Sequence, residues 1–248
     1  MINESTTREE RESMHFNELA NEHGQAWWGA NTQAAKVRLY RRAELVKKYL
    51  DLKPDSRILE CGCAAGPFTE ILAERLDNRI SIYAVDLSKE QIRIASEKIK
   101  NENVYFSVDS ISDLKFKDGF FDFVVGNAIL HHLDIHKALI EIKRVLKISG
   151  KLLFFEPNML NPQIWLSLNV KSLRKYYQAS PDETAFYKWQ IKKELALNGL
   201  KNIIVKPFDF MHPLIPEKFI NFAKSIEYIF ERSALNQIAG SLIICAEK

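Results

Sequence analysis

The sequence predicts an α/β fold, a Rossmann-like parallel sheet wound on both faces by helices. Three observations point to it. Short apolar runs alternate with stretches of helical period, and the runs are apolar almost without break, as strands buried on both faces are. Helix-start signals, Pro67 and the Ser88/Gln91 pair, follow two of the runs. The 248 residues, 46% hydrophobic and 27% charged, have ordinary globular composition and the length of one large domain with insertions.

The first twenty-odd residues are polar and read as frayed or loosely helical. From Asn31 to about Leu50 an amphipathic helix is expected, with Leu39, Ala43, Val46 and Leu50 on one face and basic residues opposite; "LKPDS" ends it. Ile58–Cys61 reads as a short buried strand and Pro67 to Leu76 as a helix with proline in its first turn. "ISIYAVD" is the next strand. Ser88 caps the helix after it, with Gln91 in capping-box position and Ile92, Ala95 and Ile99 on the buried face. "VYFSVD" and "FDFVVGNA" are the third and fourth strands. Ile135, Ala138, Leu139, Ile142 and Leu146 mark a helix stopped by Ser149–Gly150, and "KLLFFEP" is the fifth strand. Past Glu156 the pattern loosens into an aromatic-rich insertion ending at Phe186. A helix around Tyr187–Asn198 ends at Gly199, "NIIVKP" is a sixth strand, and a helical excursion from about Pro216 to Leu235 precedes the last strand, "GSLIICAEK".

Charge and cysteine content narrow the function classes. A net charge of +3 is too small to predict a polyanionic partner, and the basic clusters "KVRLYRRAELVKK" and "VKSLRKYY" read as solvated helix faces, so no nucleic acid is expected. Cys61, Cys63 and Cys245 are odd in number and lack framework spacing, which suits a reducing, cytoplasmic compartment. Cys61 and Cys63 resemble half a metal site without its second pair; they read as small loop residues, and no metal is expected. The polar, acid-rich N-terminus is no signal peptide, and no run approaches the ~18 apolar residues of a membrane span.

The stretch "RILECGCAAGPFTEIL" carries the first chemistry. Gly62 and Gly66 allow backbone conformations that a side chain would block, and Ala64 and Ala65 keep the space above the loop open. The helix that follows points free N–H groups at a ligand. A pyrophosphate-binding loop would read G-x-G-x-x-G, which this one does not, and the acid at the strand end, Glu60, repels a diphosphate and attracts a cation. Asp86 ends the second strand, where an acid suits the two hydroxyls of a ribose. Asp109 and Ser110 follow the third strand and suit an exocyclic amino group. An ammonium, a ribose and an adenine together describe S-adenosylmethionine.

These residues carry a family resemblance. Glu60-x-Gly62-x-Ala64-x-Gly66 resembles the first motif of class I SAM-dependent methyltransferases, with alanine at the middle glycine position. "AVDLS", "VDS", "FDFVVGNAILHHL" and "VLKISGKLLFFEPN" resemble the later motifs, so the likeness runs from about Arg57 to Pro157 and is to the UbiE/UbiG-like branch acting on small molecules. The resemblance implies seven strands in the order 3-2-1-4-5-7-6, the last antiparallel. It implies S-adenosyl-L-methionine as cofactor, S-adenosyl-L-homocysteine as product and a small-molecule acceptor. Cofactor contacts are implied along Gly62, Cys63, Ala64, Gly66, Leu87 and Gln91, with Asp86 on the ribose, Asp109 and Ser110 at the adenine, and Glu60 and Asn127 near the methionine end.

Transfer of a methyl group needs a base only where the acceptor holds its proton firmly, as a sugar hydroxyl does. His131 and His132 follow the fourth strand in "AILHHL", at the right edge of the sheet; each is a candidate base or a packed histidine. Glu156 suits an acceptor hydroxyl or the anchoring of a loop, and His212 either the acceptor or a structural role. Trp28, Arg38 and Tyr40 are candidate contacts of an N-terminal lid over cofactor and acceptor, or packing and solvated positions. "PQIWLSLNVKSLRKYY" is either a lid helix or a segment lying on a membrane surface, as a lipid-linked acceptor would use. The expected organisation is a helical lid at 1–50, a cofactor-binding core at 51–157, a substrate-side insertion at 158–186 and the rest of the sheet at 187–248, interrupted by helix at 208–239. The expected reaction is methylation of a small-molecule hydroxyl on a sugar, glycolipid or secondary metabolite. Nitrogen or carbon methylation, a nucleic-acid methyltransferase and a non-catalytic SAM-binding module stand as alternatives.

Overall fold

A computed structural model of the chain describes residues 6–23, 32–180 and 182–248. Seven strands form a single sheet in the order β3-β2-β1-β4-β5-β7-β6. They are β1 (Arg57–Cys61), β2 (Ser81–Asp86), β3 (Val104–Val108), β4 (Phe121–Asn127), β5 (Leu146–Pro157), β6 (Lys201–Phe208) and β7 (Ser241–Glu247). The first five run parallel, and β7 is antiparallel to both β5 and β6. Strand order reverses between β1 and β4, which opens a crevice at their carboxyl ends.

Alternation along the strands divides the core into two layers. Leu59 and Cys61 of β1, Val124 of β4, and Leu152 and Phe154 of β5 point to one face. They pack there with α5 (Ile135–Val145) and α8 (Lys188–Leu197) through Leu139, Ile142, Ile191 and Leu195. Ile58, Phe123, Val125, Leu153 and Phe155 point to the other face, against α2 (Gln33–Tyr49) and α3 (Pro67–Arg75) through Leu39, Val46, Phe68 and Leu72. On that face α4 (Lys89–Lys98) closes over β2 with Ile92 against Ala84. Helix starts follow the local chemistry: Thr32, Ser88 and Asp134 each cap by accepting a backbone N–H three residues on.

One stretch departs from expectation and another is more regular than expected. The helix of Ile135 ends at Val145 and not at Ser149–Gly150, because Leu146 pairs with Phe121 and β5 begins there. Ser149, at φ 62, marks an irregularity in that strand and not a helix stop. The N-terminal segment, expected to be frayed or loosely helical, is a regular helix, α1 (Arg8–His23). Thr7 and Glu10 start it as a reciprocal capping box: Thr7 N donates to Glu10 Oε2 at 2.8 Å and Glu10 N to Thr7 Oγ1 at 3.3 Å. The insertion is helical, with α6 (Pro162–Asn169) and α7 (Lys171–Tyr176), and the excursion before β7 holds α9 (Ile220–Phe230).

Candidate active site

A cavity of about 540 Å³ lies over the carboxyl ends of the parallel strands, walled by α1, α2 and α6. Its floor is the loop after β1. Gly62 N and Cys63 N both donate to Val85 O, at 2.9 and 3.0 Å, which folds the loop back onto β2. This turn needs Gly62 at φ 68, where a Cβ would also stand 2.5 Å from Ile129 Cγ1. Ala64, at φ 47, occupies the same left-handed region, and its N–H donates to Asp86 Oδ2 at 2.9 Å. Gly66, at φ 81, then opens α3.

Asp86 holds two elements at once, since its Oδ1 accepts from Ser88 N at 2.9 Å. Burial pushes its pKa up, against the backbone donors that favour the charge. Asp109 accepts from Ser110 N at 3.1 Å and Lys115 N at 3.0 Å, and Ser110 Oγ donates to Glu9 of α1 at 3.1 Å. Both carboxylates line the cavity and keep lone pairs for a ligand.

Glu60 lies beneath this loop, 1% exposed, and its Oε2 has no hydrogen-bond partner among the described residues. Burial first, and the Asp86 carboxylate beside it, push its pKa up to about 7. A buried carboxylate with an orphaned oxygen is what a cationic group of a ligand would relieve. The implied cofactor carries such a group. Together with the glycine cradle and the two acids along the cavity, the residues present fit it.

The wall beyond β4 is a network of arginines. Arg42 donates to the side-chain oxygen of Asn127, and its other terminal nitrogen reaches Asp209 Oδ2 at 2.9 Å and Ser241 Oγ at 3.0 Å. Arg38 lies 2.7 Å from the same Asp209 oxygen and edges the cavity. Arg41 pairs with Glu227 and Glu231. Burial, then the neighbouring Arg38, push Arg42 down to about 10, whereas the surrounding arginines hold Asp209 below the usual carboxylate range in spite of its burial.

The opposite wall is the 3-10 turn Leu130–His132. Glu156 fixes it: Oε1 accepts from Ile129 N and Leu130 N at 3.0 and 2.9 Å, and Oε2 lies 2.7 Å from His131 Nδ1. Across from it, Glu12 of α1 places Oε2 3.0 Å from His132 Nδ1 and accepts from Ser180 Oγ at 2.6 Å. Burial lowers the His131 pKa, but the Glu156 contact outweighs it and the net direction is up. Burial and the adjacent His131 take His132 down.

The structure brings most of the sequence-named residues to one cavity. Gly62, Ala64, Asp86, Leu87 and Gln91 line it with Asp109, Ser110 and Asn127; Arg38, His131, His132, Glu156 and His212 complete that set. His212 Nε2 meets Gln163 at 2.8 Å. Glu60, buried beneath the loop, and Gly66, at the start of α3, lie behind the lining. Three expectations are corrected. Cys63 is buried under the loop against Ala84 and Ile92, so only its backbone serves the site. Tyr40 points away, its hydroxyl donating to Glu74 at 2.6 Å with Arg75 over the ring. Glu156 has both oxygens engaged by the turn it anchors, which leaves it no free hydroxyl-binding face. Trp28 lies outside the described residues. Glu12, Arg42 and Glu183 escaped the sequence reading. The four-residue spacing of Arg38 and Arg42 on one helix face is a usable signal; Glu12 and Glu183 have none, because their partners are far away in the chain.

Comparisons with known proteins agree with the fold. A methyltransferase domain family model matches residues 59–154. A demethylmenaquinone methyltransferase of Bacillus mycoides is 26% identical over 66% of this chain and 77% of its own length. An uncharacterised protein of Methanocaldococcus jannaschii is also 26% identical, over 76% of this chain and 77% of its own. Among solved structures, a SAM-dependent methyltransferase of Thermotoga maritima, described as a possible histamine N-methyltransferase, superposes with TM-score 0.66 at 18% identity, covering 95% of this chain and 99% of that one. A geranyl diphosphate methyltransferase in complex with GPP and sinefungin gives 0.63 at 17% identity, covering 97% and 99%. At such identities the structures speak for the fold, whose strand order is the one implied by the motifs.

Proposed function

We propose that this chain, a class I S-adenosylmethionine-dependent methyltransferase, methylates a small molecule whose hydroxyl is held at the His131–His132 wall. The observation that carries this reading is the buried Glu156 clamp on His131 Nδ1, 2.7 Å long, which leaves the other ring nitrogen for chemistry. Bound in the cavity, the cofactor supplies a methyl group activated on a sulfonium. The chain's part is to hold the ribose at Asp86 and the adenine at Asp109 and Ser110. Gly62, Ala64, Leu87 and Gln91 shape that half of the site, and Glu60 and Asn127, with Arg38 at the rim, define the methionine end. Aligning donor and acceptor and shutting out water does the rest.

The acceptor's proton is the remaining problem, and the braced imidazoles stand where it must be solved. A sugar or glycolipid hydroxyl would be methylated at oxygen. The relatives named demethylmenaquinone methyltransferase favour a second reading, a quinol whose ring carbon becomes nucleophilic when a hydroxyl loses its proton. Trp165 and Leu166 of α6, 46% and 42% exposed, suit an acceptor with an apolar tail, presented at a membrane surface if it is lipid-linked. No described helix is long and apolar enough to cross a membrane.

Calorimetry and turnover test the two halves separately. Asp86→Ala is expected to weaken SAM binding about ten- to a hundredfold, the loss of hydrogen bonds to a charged group; unchanged affinity sinks the cofactor site. His131→Ala is expected to keep SAM affinity and to lower kcat on a responsive quinol, phenol or sugar by roughly 10²–10⁴. Full turnover in that variant removes His131 from the chemistry.

A further inference from the structure

Both histidines of the 3-10 turn have one ring nitrogen tied to a buried carboxylate. Glu156 Oε2 holds His131 Nδ1 at 2.7 Å, and Glu12 Oε2 holds His132 Nδ1 at 3.0 Å. A carboxylate on one imidazole nitrogen fixes the tautomer and frees the other nitrogen's lone pair, which is the arrangement that supports metal-ligating histidines. His131 Nε2 lies 4.0 Å from Glu183 Oε1, and the two rings are 4.0 Å apart between centroids. One donor atom from each of His131, His132 and Glu183 falls within 4.8 Å of the others. Glu183 is itself aimed, since its Oε2 accepts from Ser180 N at 3.0 Å, while Ser180 Oγ donates to Glu12.

We propose that His131, His132 and Glu183 bind one divalent transition-metal cation in the acceptor half of the cavity. The inference deepens the proposed function and rests on it: the His131 nitrogen left free by Glu156 then acts on the acceptor's hydroxyl through a bound ion and not as the base itself. The sequence directed attention to Cys61 and Cys63 and away from a metal; the candidate ligands come instead from the turn after β4 and a loop fifty residues later.

Charge and donor type both favour the ion. Glu12, Glu156 and Glu183 surround two adjacent imidazoles, while the nearby guanidiniums are engaged elsewhere: Arg8 donates to the backbone oxygens of His131 and Asp182, Arg174 to those of Ser180 and Glu183, and Arg11 pairs with the Asp182 carboxylate. Two imidazoles with one carboxylate suit zinc, iron or cobalt over magnesium or calcium, and three protein ligands leave open positions. Ligands about 2.1 Å from a tetrahedral ion stand roughly 3–3.5 Å apart, so the three donors need to close by about 1 Å. Glu183, on a loop and partly exposed, is the group able to move. An acceptor hydroxyl taking an open position would lose its proton to solvent, the O–H electron pair remaining on oxygen as the nucleophile.

The test uses the full chain, stripped with a chelator and titrated with cobalt(II), read by visible absorption and calorimetry. Expected is one cobalt per chain with nitrogen and oxygen ligation. Glu183→Gln and His132→Ala, each checked for an unchanged melting temperature before titration with metal, should weaken binding at least tenfold. Glu12→Gln, which removes a brace and no ligand, should weaken it ten- to a hundredfold. No cobalt binding by the wild-type chain overturns the proposal. So does binding unaffected by both ligand variants, or a near-ultraviolet thiolate band placing the ion on cysteine. SAM affinity is measured on the same stripped protein: a chain that binds SAM but takes up no cobalt on titration rejects the metal and leaves the methyltransferase reading standing.

Discussion

Glu60 shows what a single side chain does when burial outruns its partners. Its pKa, raised from 4.5 to about 7, means that the folded ligand-free protein keeps a proton the unfolded chain has already lost. Unfolding between those values releases that proton, so stability falls as pH rises through the window. The loss approaches about 3 kcal/mol and levels off above pH 7. An ammonium placed beside Glu60 requires the charged form, so SAM affinity is expected to drop below pH 7, by up to tenfold per pH unit. Glu60→Gln should therefore melt higher than wild type at pH 8 without ligand, bind SAM more weakly, and lose the pH dependence. Melting curves at pH 5 and 8, with calorimetry between pH 6 and 8, check all three. This role was half legible: the acid's place before the glycines named it, but its unpaired oxygen is a fact of packing.

Among the elements, the strands and α2 to α5 could be read almost residue by residue, because their apolar period and their caps are local. The end of α5 could not, since the pairing of Leu146 with Phe121 is decided by β4. For α1 the Thr7–Glu10 capping box was a local signal that the reading of a frayed or loosely helical segment missed, and the purpose of the helix had no signal at all. Its contacts join residues about 70 to 170 positions apart: Asn17 to Ser88, Glu9 to Ser110, Glu12 to His132 and Ser180, and Arg11 to Asp182. They are polar contacts on strand ends and loops, apart from the large clusters that hold the sheet. Removing residues 1–23 should therefore leave the circular dichroism of the sheet and its melting transition nearly unchanged. The same truncation should weaken SAM binding at least tenfold, as the half of the site over Ser88 and Ser110 opens.

On the scale of the whole molecule, the sheet separates two cores that share strands but no side chains. Leu72 belongs to one and Leu139 to the other, both fully buried. Leu72→Ala and Leu139→Ala should each cost about 2–5 kcal/mol. Their effects should add to within about 0.5 kcal/mol in urea unfolding, as distant sites do. The acceptor side was the least legible part, because it is assembled from α1, the turn after β4 and the insertion, none of which carries a motif that predicts its neighbours. The position of α1 has a consequence in time as well as space. One helix touches the strand ends proposed for adenine and ribose and also the histidines proposed for the acceptor, so on that reading both ligands would pass it on the way in and out. Expelling the spent cofactor would then require α1 to move aside. Rapid-quench experiments are expected to show a burst of one methylated product per chain, followed by a slower steady rate set by the helix letting go.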